Sequence, residues 1–140
     1  LFHQRYVCLF RRGHALDGPS FTLADYQAAE HLVIVSSGTG HGKVDELIKK
    51  AGIERLVRLT VPHFVSVGHI LQRTALVATV PEQLAQTLAE PFGLTMHPHP
   101  VKLPQVPINM FWHAKVHRSA ASQWLRGKVF SLFGASQTPQ

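Results

Sequence analysis

The sequence predicts an α/β fold with a mainly parallel sheet, and three observations carry that prediction. Short runs of β-branched and other apolar residues alternate along the 140-residue chain with segments whose apolar side chains recur at helical spacing. Glycine or proline marks the strand-to-helix connections, as at Gly38, Gly40, Gly42 and Pro81. Hydrophobic residues make up 45% of the chain and charged residues 16%, which suits one ordered domain with a packed core.

Residues 2–12 read as a strand, followed by a turn-rich loop at 13–20. Thr22 suits the N-cap of a short helix through Ala29, with Asp25 placed to complete a capping box. Residues 31–35 read as the second strand. Beyond the glycine turn, Val44, Leu47, Ile48 and Ala51 repeat at i, i+3, i+4 and i+7, one face of a helix. Asp45/Lys49 and Glu46/Lys50 stand in the favourable i, i+4 order on its solvent side, and Gly52 is placed to end it. Residues 54–61, with Leu56, Val57, Leu59 and Val61, read as a strand stopped by Pro62. Residues 64–72 predict a short helix interrupted by Gly68. A strand at 76–80 leads to Pro81, which opens a helix carrying Leu84, Ala85 and Leu88. A brief strand at 94–97 precedes a proline-rich link at 98–107 and a last strand at 108–112. Ser119 then caps a final helix bearing Trp124, Leu125, Val129, Leu132 and Phe133, and the tail from Gly134 reads as frayed.

The formal charge is +6, but the basic residues are scattered and read as solvated faces; no run is dense enough for a nucleic-acid arm. A single cysteine, Cys8, excludes an internal disulfide framework and fits a reducing, cytoplasmic setting. Its apolar surroundings make it a buried, inert thiol. No apolar run is long enough for a membrane helix, and no signal-peptide pattern stands at the start. The chain begins without Met, directly in a strand, and reads as a fragment of a longer polypeptide.

Local chemistry points to a ligand most clearly at Ser36-Ser37-Gly38-Thr39-Gly40-His41-Gly42. A strand, a glycine turn and a helix start aim backbone N–H groups at an anion. In open α/β sheets, ligands lie outside the carboxyl ends of strands, where this turn falls. It is no P-loop: Ser37 replaces the first glycine and Val44 the magnesium-binding hydroxyl. Even spacing of the glycines also fails the dinucleotide fingerprint. A plain connecting turn, a carboxylate site and a phosphate site of another type stay open, with His41 adding a donor. Val61-Pro62-His63-Phe64 is a second ligand segment, in which Phe64 either walls a pocket or fills the core. The ten histidines lack convergent metal spacing. His97 and His99 sit in a stiff, proline-flanked segment that turns neighbouring side chains apart, and His113 and His117 lack an H-E-x-x-H helix. No nucleophile elbow or acid–base pair marks an enzyme, and no cofactor motif is present.

Six motifs stand together in order: Leu1-Phe2-x-x-Arg5-Tyr6-Val7-Cys8, Thr39-Gly40-His41-Gly42, Val61-Pro62-His63-Phe64, Ala78-Thr79-Val80-Pro81, Pro91-Phe92-Gly93-Leu94-Thr95 and Phe111-Trp112-His113-Ala114-Lys115. With them the chain resembles the effector-binding domain of LysR-type transcriptional regulators, in the branch that answers naphthalene, salicylate and nitroaromatic compounds. The resemblance implies a type II periplasmic-binding-protein-like fold, here one complete Rossmann-like lobe plus part of the second. It places residues 6–103 in one lobe, and 1–5 and 107–133 in the crossover strands and the return to the other. It also implies a non-enzymatic sensor of a small aromatic carboxylate or nitroaromatic effector. Phe2 and Ile108 would pack on the ring, Gln4 (where close relatives have His or Asn) would face it, and Gly38, Thr39, His41 and Phe64 would complete the site. Promoter DNA would be read by an N-terminal domain outside this chain, in a homo-oligomer expected to be a tetramer. A solute-binding protein of the same fold is the alternative.

Overall fold

The first strand expected from the sequence is two strands. β1 (Phe2–Gln4) and β2 (Tyr6–Arg11) are interrupted at Arg5. They fall in separate compact units, Leu1–Gln4 with residues from Gln105 onward, and Arg5–Pro104. The computed structural model describes residues 1–35 and 42–134.

In the Arg5–Pro104 unit, α1 (Leu23–Ala28) carries the capping box the sequence implies. Thr22 Oγ1 accepts the Asp25 N–H at 3.2 Å, and Asp25 Oδ2 accepts the Thr22 N–H at 2.9 Å. β3 (Glu30–Ile34), α2 (Gly42–Lys50) and β4 (Leu56–Val61) follow. Gly52 takes φ +73°, which suits a residue without Cβ, and its N–H bonds Lys49 O at 2.9 Å to close α2. A 3₁₀ turn (Phe64–Ser66) runs into α3 (Val67–Leu71), and β5 (Val77–Pro81), α4 (Glu82–Phe92) and β6 (Leu94–Pro98) complete the unit. Pro81 is the last residue of β5 and the N-cap of α4, so the helix opens after it.

The sheet order is β4-β3-β5-β2-β6. β3 is parallel to β4 and β5, whereas β2 is antiparallel to β5 and β6. The expected mainly parallel sheet is therefore mixed. A crossover helix, α2, joins β3 to β4 and forces that pair parallel, but β2 pairs with strands far along the chain, whose direction no local crossover dictates.

Period-two alternation then divides the side chains between two cores. Val7 and Leu9 of β2, Leu32 and Ile34 of β3, and Ala78 and Val80 of β5 pack under α3 and α4. Tyr6, Cys8 and Phe10 of β2 and Val77 of β5 pack against Tyr26 of α1 and Val44 and Ile48 of α2. The β4 pattern is also that of a strand, yet Leu56 and Val57 remain 46% and 45% exposed, because β4 is the sheet edge.

In the other unit, β1 pairs antiparallel with β7 (Val106–Ile108). The expected strand at 108–112 thus lies earlier in the chain. Residues beyond Ile108 are bound locally instead: Trp112 Nε1 donates to His117 Nδ1 at 3.0 Å, and Lys115 N–H donates to His113 Nδ1 at 3.1 Å. A 3₁₀ turn (Ala114–Val116) leads to α5 (Ala120–Phe133), over which Arg126 stacks on Trp112 at 4.6 Å and donates to His117 O at 2.8 Å. Ser119 holds the N-cap position, but its hydroxyl makes no cap bond. Trp124, Leu125, Leu132 and Phe133 are exposed.

Gly68 does more than lower helix propensity. A Cβ there would sit 2.6 Å from the Phe92 ring, so α3 and α4 approach closely because this residue has none. We expect Gly68→Ala to destabilise the fold by about 1–3 kcal/mol, read as a lower denaturation midpoint at unchanged m-value.

Candidate functional site

The end of β3 borders a small cavity of about 20 Å³, lined among others by Ile34, Val44, Asp45, Arg55, Phe64 and Thr79. Its size suits about one water molecule. Phe64 opens the 3₁₀ turn just beyond β4, where Pro62 has ended the strand, and it is half-buried. It packs on the first core, and the cavity it borders is too small for an aromatic ring. Gly38, Thr39 and His41 lie outside the described residues.

Phe2, Gln4 and Ile108 come together in the smaller unit. The β1–β7 register sets Phe2 opposite Ile108 and Gln4 opposite Val106. Cross-strand partners share a face, as do residues two apart, so these side chains form one patch. Gln4 is buried, and the Leu1 nitrogen lies 2.8 Å from Ile108 O at the end of the ladder.

Sequence reasoning missed a polar network beneath α1 and α2. The sequence reads the scattered cations, Arg55 among them, as solvated and Asp45 as solvent-facing, whereas in the structure both turn inward. The Arg55 side chain is only 6% exposed and is ion-paired to Asp45, which also binds Lys49 Nζ at 2.8 Å. Arg55 Nη1 donates to Tyr26 Oη over a long 3.4 Å, Tyr26 Oη lies 3.0 Å from Thr79 Oγ1, and Thr79 Oγ1 lies 3.1 Å from His99 Nε2. His99 Nδ1 engages the backbone of Val101, 3.1 Å from its N and 3.2 Å from its O. The Asp45/Lys49 spacing was legible, but nothing local signals a partner ten residues on. The one usable hint was His31, a titratable residue heading an apolar strand. It is 1% exposed, with Nε2 against Tyr26 O at 2.7 Å and Nδ1 without a hydrogen-bond partner among the described residues.

The electrostatics follow from burial. Burial pushes the Asp45 carboxyl up, but the Lys49 hydrogen bond and the Arg55 charge outweigh it and hold the group below the usual range. Burial lowers His31, and it pulls His99 down to about 4 despite the Val101 bond, with Arg55 adding repulsion. Burial also raises the Cys8 thiol well above its ordinary value, in keeping with an inert core residue.

Neither histidine pair forms a ligand set on this geometry. Residues 97 and 99 are two apart and share a face, so both rings enter the second core rather than turning apart. His97 stacks on Phe10 at 5.1 Å and faces Asp17 at 3.6 Å, while His99 meets Tyr26 at 4.8 Å. Among the described residues, no group of three or more His, Cys, Asp or Glu side chains converges.

Residues 1–130 match the LysR substrate binding domain model. The chain belongs to the LysR substrate-binding domain family. It is 51% identical over 133 residues to the HTH-type transcriptional activator NahR of Pseudomonas putida, and 48% identical over 133 residues to the HTH-type transcriptional activator NagR of a Ralstonia species. These matches cover 95% of this chain and 44% of each relative, so the chain spans less than half the length of the curated relatives it matches. Among solved structures, the regulatory domain of MexT from Pseudomonas aeruginosa superposes with a TM-score of 0.73 at 29% identity, over 91% of this chain and 63% of that one. A putative transcriptional regulator from Vibrio parahaemolyticus gives 0.78 at 29% identity, over 93% and 61%. The LysR-type fold is thus the periplasmic-binding-protein-like one, and the relatives are transcriptional regulators rather than enzymes. No helix among the described residues is long and apolar enough to cross a membrane.

The buried histidines make stability depend on pH. The folded chain keeps both rings neutral, whereas the unfolded chain protonates them near their ordinary 6.5. Their contribution is therefore complete above pH 6.5 and is lost as pH falls toward about 4, the value that His99 reaches. We expect a decline on the order of 1–3 kcal/mol over that window in denaturant titrations, flattened in His99→Gln.

Proposed function

We propose that this chain is the ligand-sensing domain of a LysR-type regulator that binds a small aromatic carboxylate or nitroaromatic effector and controls transcription of aromatic-degradation genes. The observation that carries this reading is the identity of about half its residues to two HTH-type activators over nearly its whole length. The patch of Phe2, Ile108 and Gln4 supports it: two apolar side chains for a ring face, with a buried amide beside them. His41, with backbone N–H groups of Gly38 and Thr39, anchors the carboxylate or nitro group, and Phe64 completes the site. The intact protein reads promoter DNA through an N-terminal domain, acts in the cytoplasm and assembles as a homo-oligomer, a tetramer. It uses no cofactor and turns nothing over.

Calorimetry of the intact regulator with salicylate and the nitrobenzoates tests this. Binding of at least one of these acids is expected, and His41→Ala should weaken it by about 1–3 kcal/mol through loss of a hydrogen bond to a charged group. Absence of binding by every small aromatic acid tried would overturn the reading.

A further inference from the structure

The two faces of the sheet are built from different materials. The face under α3 and α4 is apolar, while the face under α1 and α2 is crossed by Asp45, Arg55, Tyr26, Thr79 and His99. These five come from α2, the α2–β4 connection, α1, β5 and the residue after β6, so the network touches nearly every element on that side. A buried guanidinium–carboxylate pair is a poor stabiliser compared with apolar packing, because desolvation offsets the attraction. What it does provide is register: the Arg55 fork meets Asp45 and Tyr26 together in one placement of α2 over the sheet.

Both ends of the network are distinctive. Asp45, Arg55 and Thr79 line the cavity together with Val33 and Ile34 from the last residues of β3. His99 instead grips the backbone of Val101, within the segment through which the chain leaves this unit at Pro104. Between the two ends every link is a direct side-chain contact.

We propose that Arg55 and Tyr26 are positioning residues that couple the cavity end of the sheet to the exit segment 99–104. The cavity suits a single water molecule, so the coupling starts from a change of hydrogen-bond partner at Arg55 or Thr79, and the shift passes through Tyr26 and Thr79 to His99 and the backbone at Val101. In an effector domain this is a route from that end of the network to the segment by which the chain leaves the unit. That use rests on the sensing role proposed above, whereas the coupling itself does not.

Hydrogen exchange on the intact, ligand-free regulator tests the coupling, with the Val101 amide as reporter. Tyr26→Phe removes only the central hydroxyl, and Asp45→Asn alters the far end, where Asp45 is bound to Arg55 and Lys49. Both should accelerate Val101 exchange by about fivefold while amides in the middle of α4 keep their wild-type rates. Unchanged Val101 exchange in both variants, or equal acceleration in α4 in both, overturns the coupling. A reporter assay titrated with salicylate supplies the second arm. Tyr26→Phe should keep the half-maximal concentration and lower maximal induction about threefold, since coupling rather than contact is lost. Wild-type induction in Tyr26→Phe would overturn the proposed use of the network. A wild-type protein that answers no aromatic acid would instead count against the sensing role and leave the exchange result to judge the coupling.

Discussion

β2 lies between β5 and β6 with both of its faces covered, and that double burial governs the larger unit. A strand in this position has no solvent side, so Tyr6 to Phe10 must all be accommodated in apolar surroundings. Val7 and Leu9 enter one core and Tyr6, Cys8 and Phe10 the other, which obliges the chain to supply helices on both sides. α3 and α4 answer on one face and α1 and α2 on the other. Bulk is matched locally: Phe92 fits because residue 68 lacks a Cβ. Far from β2 the demand relaxes, and the edge strand β4 keeps leucine and valine partly in solvent.

What could be read from the sequence follows this division between local and distant constraint. The capping box at Thr22 and Asp25 and the stop at Gly52 depend on a few consecutive residues, and both appear as their spacing implies. The direction of β2 depends on partners some seventy to ninety residues away by its register with β5 and β6, and periodicity carries no information about it. Alternation in β4 identified a strand but not whether a layer covers it. In the same way, Asp45 and Lys49 were legible as a helical pair, while Arg55, which decides that Asp45 faces inward, was not. The juxtaposition of Phe2 and Ile108 came from family resemblance alone, since no spacing rule links the two ends of so long a stretch.

The polar face is a choice with a thermodynamic cost. An imidazole nitrogen left unpaired in the core costs about 1–3 kcal/mol, and His31 Nδ1 is in that position among the described residues. A buried guanidinium must find its full complement of partners or destabilise the fold further. A core selected for stability alone would replace these groups with leucine and valine, as the opposite face does. Retaining them restricts how α1, α2 and the sheet can be superposed, because small slides that an apolar interface tolerates break directional bonds here. Both faces bury an apolar core, and the one that also carries the network gains definition from its directional bonds.

The connection between the units obeys a related economy. β2 and β6 are antiparallel neighbours, with Val7 opposite Pro98, so the start of one and the end of the other lie side by side. The larger unit thus brings its two chain ends together as it folds. β1 and β7 pair over three positions, too few for a two-stranded ladder to be stable alone, and the loop between them is the entire Arg5–Pro104 unit. Closing a loop of that length in an unfolded chain costs entropy that three ladder positions do not return. Once the larger unit has folded, most of that cost has already been met, and the ladder needs only to extend from ends held close. The ladder that brings Phe2, Gln4 and Ile108 together is therefore a consequence of the sheet in the other unit. Since the chain passes between the units at just two places, beside Arg5 and beside Pro104, any influence of one on the other through the backbone must travel along these segments. His99 holds the backbone at Val101 on one of them, and Arg5, ion-paired to Glu82 at the head of α4, is the first residue of the other.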